Sequence, residues 1–138
     1  MNVSDIMTKD VTRVSANDNL QKAAMLMRDN KIGCLIVTGS STPAGILTDR
    51  DLATRALSQD WLPHEHNVSE VMTANPVAIN QNGDIMDAAR LIGKHRVRRL
   101  PVTDDQNNLV GLVSEADVTE YIGQALTDIF GELTKAEK

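Results

Sequence analysis

The chain changes its hydrophobic period several times, and it runs through the same changes twice. Apolar residues at Leu20, Ala23, Ala24 and Met27 recur every three or four positions, which predicts one stripe of a helix. Ile85, Ala88, Ala89 and Ile92 repeat that stripe. Short runs rich in β-branched residues surround each helix. They are Val11 to Val14, Leu35 to Thr38 and Gly45 to Leu47 in the first half, and Val77 to Ile79, Leu100 to Thr103 and Leu109 to Val113 in the second. Bounded by turn residues, these read as strands. Ser15-Ala16-Asn17-Asp18 and Asn80-Gln81-Asn82-Gly83-Asp84 stand just ahead of the helices and supply N-cap oxygens. The loops Gly39-Ser40-Ser41-Thr42-Pro43 and Asp104-Asp105-Gln106-Asn107-Asn108 close the last two strands of each half into a hairpin. A final helix begins at Thr48 or Ser114, so each half reads strand, helix, strand, strand, helix.

The halves are copies of one another. Val3-Ser4-Asp5-Ile6-Met7-Thr8 returns 65 positions later as Val68-Ser69-Glu70-Val71-Met72-Thr73. Leu35-Ile36-Val37-Thr38 meets Leu100-Pro101-Val102-Thr103 at the same offset. After one inserted loop residue, Gly45-Ile46-Leu47-Thr48 meets Gly111-Leu112-Val113-Ser114 at 66. A copy of roughly sixty residues buries too little apolar surface to be comfortable alone. The expected architecture is therefore mixed α+β: two β-α-β-β-α repeats, residues 1–60 and 61–138, packed sheet to sheet about a pseudo-twofold axis as one module. The linker Ser58 to Asn67 carries Trp61, Pro63, His64 and His66. The last helix places Val118, Tyr121, Ile122, Ala125, Ile129 and Leu133 on a stripe longer than its own repeat needs. That excess predicts a self-association surface and a homodimer.

Composition narrows the partners. Only 2% of the 138 residues are aromatic, too few for a base-stacking platform, and 14 basic against 19 acidic residues leave a net charge of −5. Neither fits a nucleic-acid binder. Apolar runs of four or five residues, such as Cys34-Leu35-Ile36-Val37, are far too short for a bilayer span. No basic segment followed by an apolar stretch opens the chain, and its single cysteine cannot form an internal disulfide, so cytoplasm is the default location. His64-Glu65-His66 offers two histidines without a third ligand and reads as polar surface, not as a metal site. Cys34 with His95 would be a nucleophile and a base, but Cys34 opens an apolar strand and reads as a small hydrophobe. Without paired carboxylates, a Walker loop or a Ser-His-Asp set, the chain is expected not to be an enzyme and to need no catalytic cofactor.

One motif recurs where the hairpin runs into the last helix: Gly45-Ile46-Leu47-Thr48-Asp49-Arg50-Asp51 and Gly111-Leu112-Val113-Ser114-Glu115-Ala116-Asp117. A hydroxyl followed three residues later by an acid fits a helix capping box. The same arrangement fits a ligand site, because free backbone N–H groups attract phosphate and a carboxylate one turn inside can accept ribose hydroxyls. Both readings stay open at this level.

The repeated Met-Thr, strand, apolar helix, Leu-x-Val-Thr hairpin and Gly-x-x-[Thr/Ser]-x-x-Asp resemble the cystathionine-β-synthase (CBS) domain. Two copies, from Val3 to about Ile122, resemble a stand-alone pair of such domains. The resemblance implies a dimeric sensor that binds an adenosine-containing ligand (AMP, ADP, ATP, NAD or S-adenosylmethionine) in two clefts between the repeats. It implies one cleft with Thr48 toward phosphate, Asp51 toward ribose and Ile46 at the base, walled by Pro76, Val77, Val97, Arg98 and Arg99. The other would use Ser114, Asp117 and Leu112, walled by Val11, Thr12, Ile32, Gly33 and Cys34. Arg98 and Arg99 form the best phosphate clamp in the sequence, and with Arg50 they lead us to expect a preference for more phosphate in the Asp51 cleft. Lys94-His95-Arg96-Val97-Arg98-Arg99, the one basic cluster, accordingly reads as a phosphate-binding or solvated segment. Two function classes follow: a nucleotide-responsive regulator, or a dimerising interaction module that responds to no ligand.

Overall fold

A computed structural model describes residues 1–39 and 43–136. Ser40, Ser41 and Thr42 of the first hairpin loop, and the last two positions of the second repeat, lie outside the described residues. The first repeat opens with a 3-10 turn, Val3–Asp5, followed by β1 (Arg13–Ser15), α1 (Leu20–Asn30), β2 (Cys34–Thr38), β3 (Pro43–Thr48) and α2 (Asp49–Asp51). Beyond α2 the helical path widens to a π turn over Leu52–Ala56 and tightens again at Leu57–Gln59. The second repeat opens with the 3-10 turn Val68–Glu70. It continues as β4 (Thr73–Ala74), β5 (Ile79–Asn80), α3 (Ile85–His95), β6 (Arg99–Thr103), β7 (Leu109–Ser114) and the long α4 (Glu115–Ala136). This is the mixed α+β, twofold-repeated architecture expected from the pattern. No helix among the described residues is long and apolar enough to cross a membrane.

Local chemistry explains where the elements begin and end. The side chain of Asn19 accepts the Lys22 N–H (2.9 Å) and that of Asp84 accepts the Met86 N–H (2.7 Å), capping α1 and α3. Both helices stop at a residue in the left-handed region, Lys31 (φ 55°) and Arg96 (φ 54°), which are again 65 positions apart. Ala24 is exposed, against the expected stripe. Leu20, Ala23 and Met27 point inward, and Ala24 falls just past the edge of that face. The first strand of each repeat is shorter than its apolar run, because only Arg13–Ser15 and Ile79–Asn80 find parallel partners on β2 and β6.

The repeats exchange their leading segments. One sheet runs β1-β2-β3-β4, so the first repeat's hairpin is completed by Thr73–Ala74 from the start of the second copy. The other sheet runs β5-β6-β7, and Thr8 stands at its edge: Thr8 and Leu112 donate N–H groups to each other's carbonyls, both at 2.9 Å. Packing follows the same exchange. Val68 and Val71 belong to the core built on Leu20, Ala23, Leu35, Val37 and Leu47, whereas Val3 belongs to the core built on Ile85, Ala88, Leu100, Val102 and Val113. Val3 and Val68 are wholly buried, each contributing about 1.5–3 kcal/mol of apolar burial to the other copy's core. Neither repeat is complete without the other.

The first glycine of the motif exists for this exchange. A Cβ on Gly45 would lie 2.6 Å from Met72 Sδ and 3.0 Å from the Thr73 carbonyl oxygen. One on Gly111 would lie 2.5 Å from Met7 Sδ and 2.9 Å from the Thr8 carbonyl oxygen. The Met-Thr pair and the glycine are therefore two halves of one contact, made twice. Each sheet is also buried on both faces. Leu35 and Val37 face the first core, while Cys34 and Ile36, which point the other way on β2, are buried too. Arg99 of the second repeat acts electrostatically on Cys34 of the first.

Candidate functional site

Both copies of the motif fold into the same turn. In the first, the Asp51 N–H donates to Thr48 Oγ1 (3.1 Å) and the Thr48 N–H donates to Asp51 Oδ2 (3.0 Å). In the second, the Asp117 N–H donates to Ser114 Oγ (3.1 Å) and the Ser114 N–H donates to Asp117 Oδ2 (2.9 Å). Each is a reciprocal capping box, so the structural reading of the motif holds at both places. What differs is the remaining carboxylate oxygen. Asp51 Oδ1 faces the guanidinium of Arg55 (3.7 Å), which also donates to the Val71 carbonyl (2.9 Å) and to Thr73 Oγ1 (3.3 Å). Asp117 Oδ1 takes no partner among the described residues.

Two open cavities flank the second turn. The larger, about 610 Å³, is lined by Arg98, Arg99, Ser114, Glu115, Ala116, Thr119 and Glu120. The smaller, about 340 Å³, is lined by Ile6, Asp117, Glu120, Tyr121 and Gln124. Glu120 borders both. The larger one presents two guanidinium groups, the hydroxyls of Ser114 and Thr119 and a helix N-terminus. Its two carboxylates, Glu115 and Glu120, balance the two arginines.

Both arginines border the second turn. Arg99 pairs with Ser114 in the β6–β7 hairpin, and the Arg98 carbonyl accepts the Glu115 N–H (2.8 Å). The clamp thus stands at its own repeat's turn, Ser114–Asp117, and Arg99 also acts on Cys34, the partner of Thr48. Gly33 and Cys34 behave in the same way. The Gly33 carbonyl accepts the Asp49 N–H (3.0 Å) and Cys34 pairs with Thr48, so both lie beside the first turn.

The remaining candidates are wall and scaffold. Ile32 packs on the first core and Val97 and Val77 on the second, while Pro76 is half-buried beside Val77. Ile46 pairs with Ile36 and Thr73, and Leu112 with Pro101 and Thr8, both half-buried. Val11 and Thr12 are half-buried, the Thr12 carbonyl accepting the Ile36 N–H (3.2 Å). Arg50 is exposed, its N–H held by Asp49 Oδ1 (2.8 Å). Neither cavity is lined by Val11, Thr12, Ile32, Gly33 or Cys34. Burial pushes the Cys34 thiol above its ordinary value, with Asp51 and Asp49 adding to the shift and Arg99 opposing it. In the linker, Trp61 and His66 stack with ring centroids 3.9 Å apart, and His66 Nδ1 lies 3.1 Å from Glu70 Oε1.

Sequence reasoning missed Arg55, Thr119, Glu120 and Tyr121. The signal was present for two of them. At the offset of 66, Arg55 aligns with Tyr121, an unlike pair one turn beyond an otherwise matched motif.

Comparison with known proteins agrees with the duplicated fold. A family model described as the CBS domain matches residues 3–58 and again 68–124. The CBS domain-containing protein YhcV of Bacillus subtilis (strain 168) is 41% identical over 133 residues, covering 92% of this chain and 94% of YhcV. The CBS domain pair of protein MJ0100, solved in complex with 5′-methylthioadenosine and S-adenosyl-L-methionine, superposes with a TM-score of 0.79 at 25% identity, covering 91% of this chain and 98% of that one. CBSX2, solved in complex with AMP, superposes with a TM-score of 0.74 at 26% identity, covering 90% of this chain and 97% of that one.

Proposed function

Because the chain belongs to the CBS-domain family and carries two copies that complete one another, we propose that it is a regulatory module, not an enzyme, which binds an adenosine-containing ligand at the Ser114–Asp117 turn. One observation carries this reading: Arg98, Arg99 and Ser114 converge on an open cleft of about 610 Å³ next to a carboxylate whose second oxygen is unengaged. Guanidinium groups and N-terminal N–H groups receive a phosphate, and Asp117 Oδ1 receives the ribose hydroxyls. Support for the ligand class comes from the AMP, 5′-methylthioadenosine and S-adenosyl-L-methionine held by the similar pairs.

The charge balance sharpens the choice of ligand. Glu115 and Glu120 cancel the two arginines, so every phosphate beyond the first meets carboxylates without added cations. AMP, or the cationic S-adenosylmethionine, is favoured over ADP and ATP. Signalling passes through the exchanged leading segments. Ile6 lines the cavity beside Asp117, and its neighbours Met7 and Thr8 contact the second hairpin at Gly111 and Leu112, so a ligand there bears on the joint between the repeats.

The module works as a homodimer in this reading. Past Ile122 the long helix α4 turns Leu126, Ile129, Phe130 and Leu133 to solvent at spacings of three and four, a continuous apolar stripe that a second copy covers. This corrects the stripe read from sequence: Val118 is buried in its own repeat, and Leu126 and Phe130 join the exposed part.

Thermal denaturation of the whole protein with AMP, ADP, ATP, NAD and S-adenosylmethionine, followed by light scattering of the same samples, tests both points. A ligand at a hundred times its Kd adds about 2.7 kcal/mol of apparent stability, so AMP or S-adenosylmethionine is expected to raise the midpoint by several degrees and ATP by less. No shift with any of the five would favour the ligand-independent interaction module, and a monomeric mass would remove the dimer.

A further inference from the structure

The two turns share their cap hydrogen bonds, and what surrounds the free carboxylate oxygen decides whether each turn is open. The small cavity of the second repeat is lined by Ile6, Asp117, Glu120, Tyr121 and Gln124. Their counterparts at offsets of 65 and 66 are Val71, Asp51, Thr54, Arg55 and Ser58. The guanidinium of Arg55 spans this second set. It faces Asp51 Oδ1 at 3.7 Å and donates to the Val71 carbonyl at 2.9 Å, which ties the turn to the leading segment opposite. A further contact to Thr73 Oγ1 at 3.3 Å fixes its third side. Thr54 and Ser58 turn their hydroxyls back onto the Arg50 and Thr54 carbonyls, so neither offers a free donor to a ligand. Tyr121 makes none of the contacts of Arg55, and its ring borders open space.

From this contrast we infer that Arg55 is a built-in occupant of the first turn: it engages the Asp51 oxygen that a ribose would otherwise take, and the chain therefore holds one adenosine-type ligand, at the second turn, rather than two. The π turn over Leu52–Ala56 contributes, because the wider backbone path carries Arg55 on the side facing Val71. Two hydrogen bonds to the second repeat hold the half-exposed guanidinium against an Asp51 side chain that is only 15% exposed, so its charge competes with an uncharged hydroxyl for that oxygen. This inference rests on the proposed binding of an adenosine ligand and assigns its stoichiometry.

Equilibrium dialysis and calorimetric titration of the full chain with AMP test it. Wild type is expected to take up one AMP per chain, and Arg55→Ala to take up two. Arg55→Tyr, which installs the residue of the open turn, is expected to do the same and serves if the alanine variant folds poorly. Combining Arg55→Ala with Asp117→Ala should return the count to one, now at the first turn. Two molecules on wild type, or a single molecule on both Arg55 variants, would overturn the role of Arg55 while leaving the ligand class intact. Absence of AMP binding in wild type and in every variant would overturn both.

Discussion

Set side by side, the Thr48–Asp51 and Ser114–Asp117 turns show how one duplicated motif divides into a structural copy and a chemical copy. Their cap distances and close glycine approaches agree to within about a tenth of an ångström. Their surroundings do not agree. The first is followed by a short helical path that opens and tightens before ending at Asp60, the second by the 22 residues of α4. Arginines stand at Arg98 and Arg99 where the first copy has Gly33 and Cys34. An arginine also stands at Arg55, where the second copy has Tyr121. A duplication keeps the positions that hold the fold, and the positions that face the cavities are free to diverge.

The largest effects are expected where the copies agree. Gly45→Ala and Gly111→Ala each push a methyl against a backbone carbonyl oxygen, Thr73 or Thr8, which cannot rotate away as the methionine sulfur can. Each should cost about 1–3 kcal/mol in urea denaturation, with an unchanged m value. Shortening Met72 to alanine in the Gly45→Ala background should recover only part of the loss. If one glycine tolerated alanine freely and the other did not, the symmetric exchange of leading segments would be wrong.

Smaller effects are expected at the caps, where the copies begin to part. Thr48→Ala and Ser114→Ala should each cost about 1 kcal/mol, the usual value of an N-cap oxygen. The acids should differ. Asp51→Ala also strips Arg55 of its ion pair, which adds roughly 0.2–1 kcal/mol for so exposed a partner. A double-mutant cycle on Asp51 and Arg55 should report that coupling, and the matching cycle on Asp117 and Tyr121 should report none. Equal coupling in both cycles would erase the distinction between a closed and an open turn.

Much of this was legible in the sequence, and the exceptions have physical causes. The repeat offset predicts the two-copy fold, because Val3 to Thr8 and Val68 to Thr73 repeat too closely for chance. It does not say which copy each segment joins, since Val3 and Val68 are equally apolar and the choice is made by packing across the axis. The place of Arg99 beside the second turn was legible as well. A hairpin from Leu100 to Val113 sets Arg99 opposite Ser114 by simple register, and the pairing is observed. Arg55 lay one helical turn past the motif, where no rule for caps or phosphate sites looks. The clefts themselves depend on how far side chains project, which periodicity does not carry.

The smallest effect separates the two leading turns, Val3–Asp5 and Val68–Glu70. Both are capping boxes: the Asn2 N–H donates to Asp5 Oδ2 (2.8 Å) and the Asn67 N–H to Glu70 Oε2 (2.6 Å). Only the second has a histidine, His66, at 3.1 Å from the other carboxylate oxygen, and His66 is held in place by its stack on Trp61. The Asn67 N–H and then His66 hold the Glu70 carboxyl below its ordinary value. A carboxylate with a depressed folded value stabilises the native state above its unfolded value, near 4.5, and that contribution is lost as pH falls through the lower folded value. Glu70→Gln should therefore be less stable than wild type at neutral pH, with the gap closing below about pH 4.5. Denaturation at pH 7 and pH 4 checks this, and the lone Trp61 supplies the fluorescence signal at the site itself. Replacing His66 by alanine should narrow the neutral-pH gap without closing it, because the larger contribution comes from the Asn67 N–H, which remains. A gap that stayed constant with pH would mean that Glu70 acts through its shape alone and that the two leading turns are equivalent.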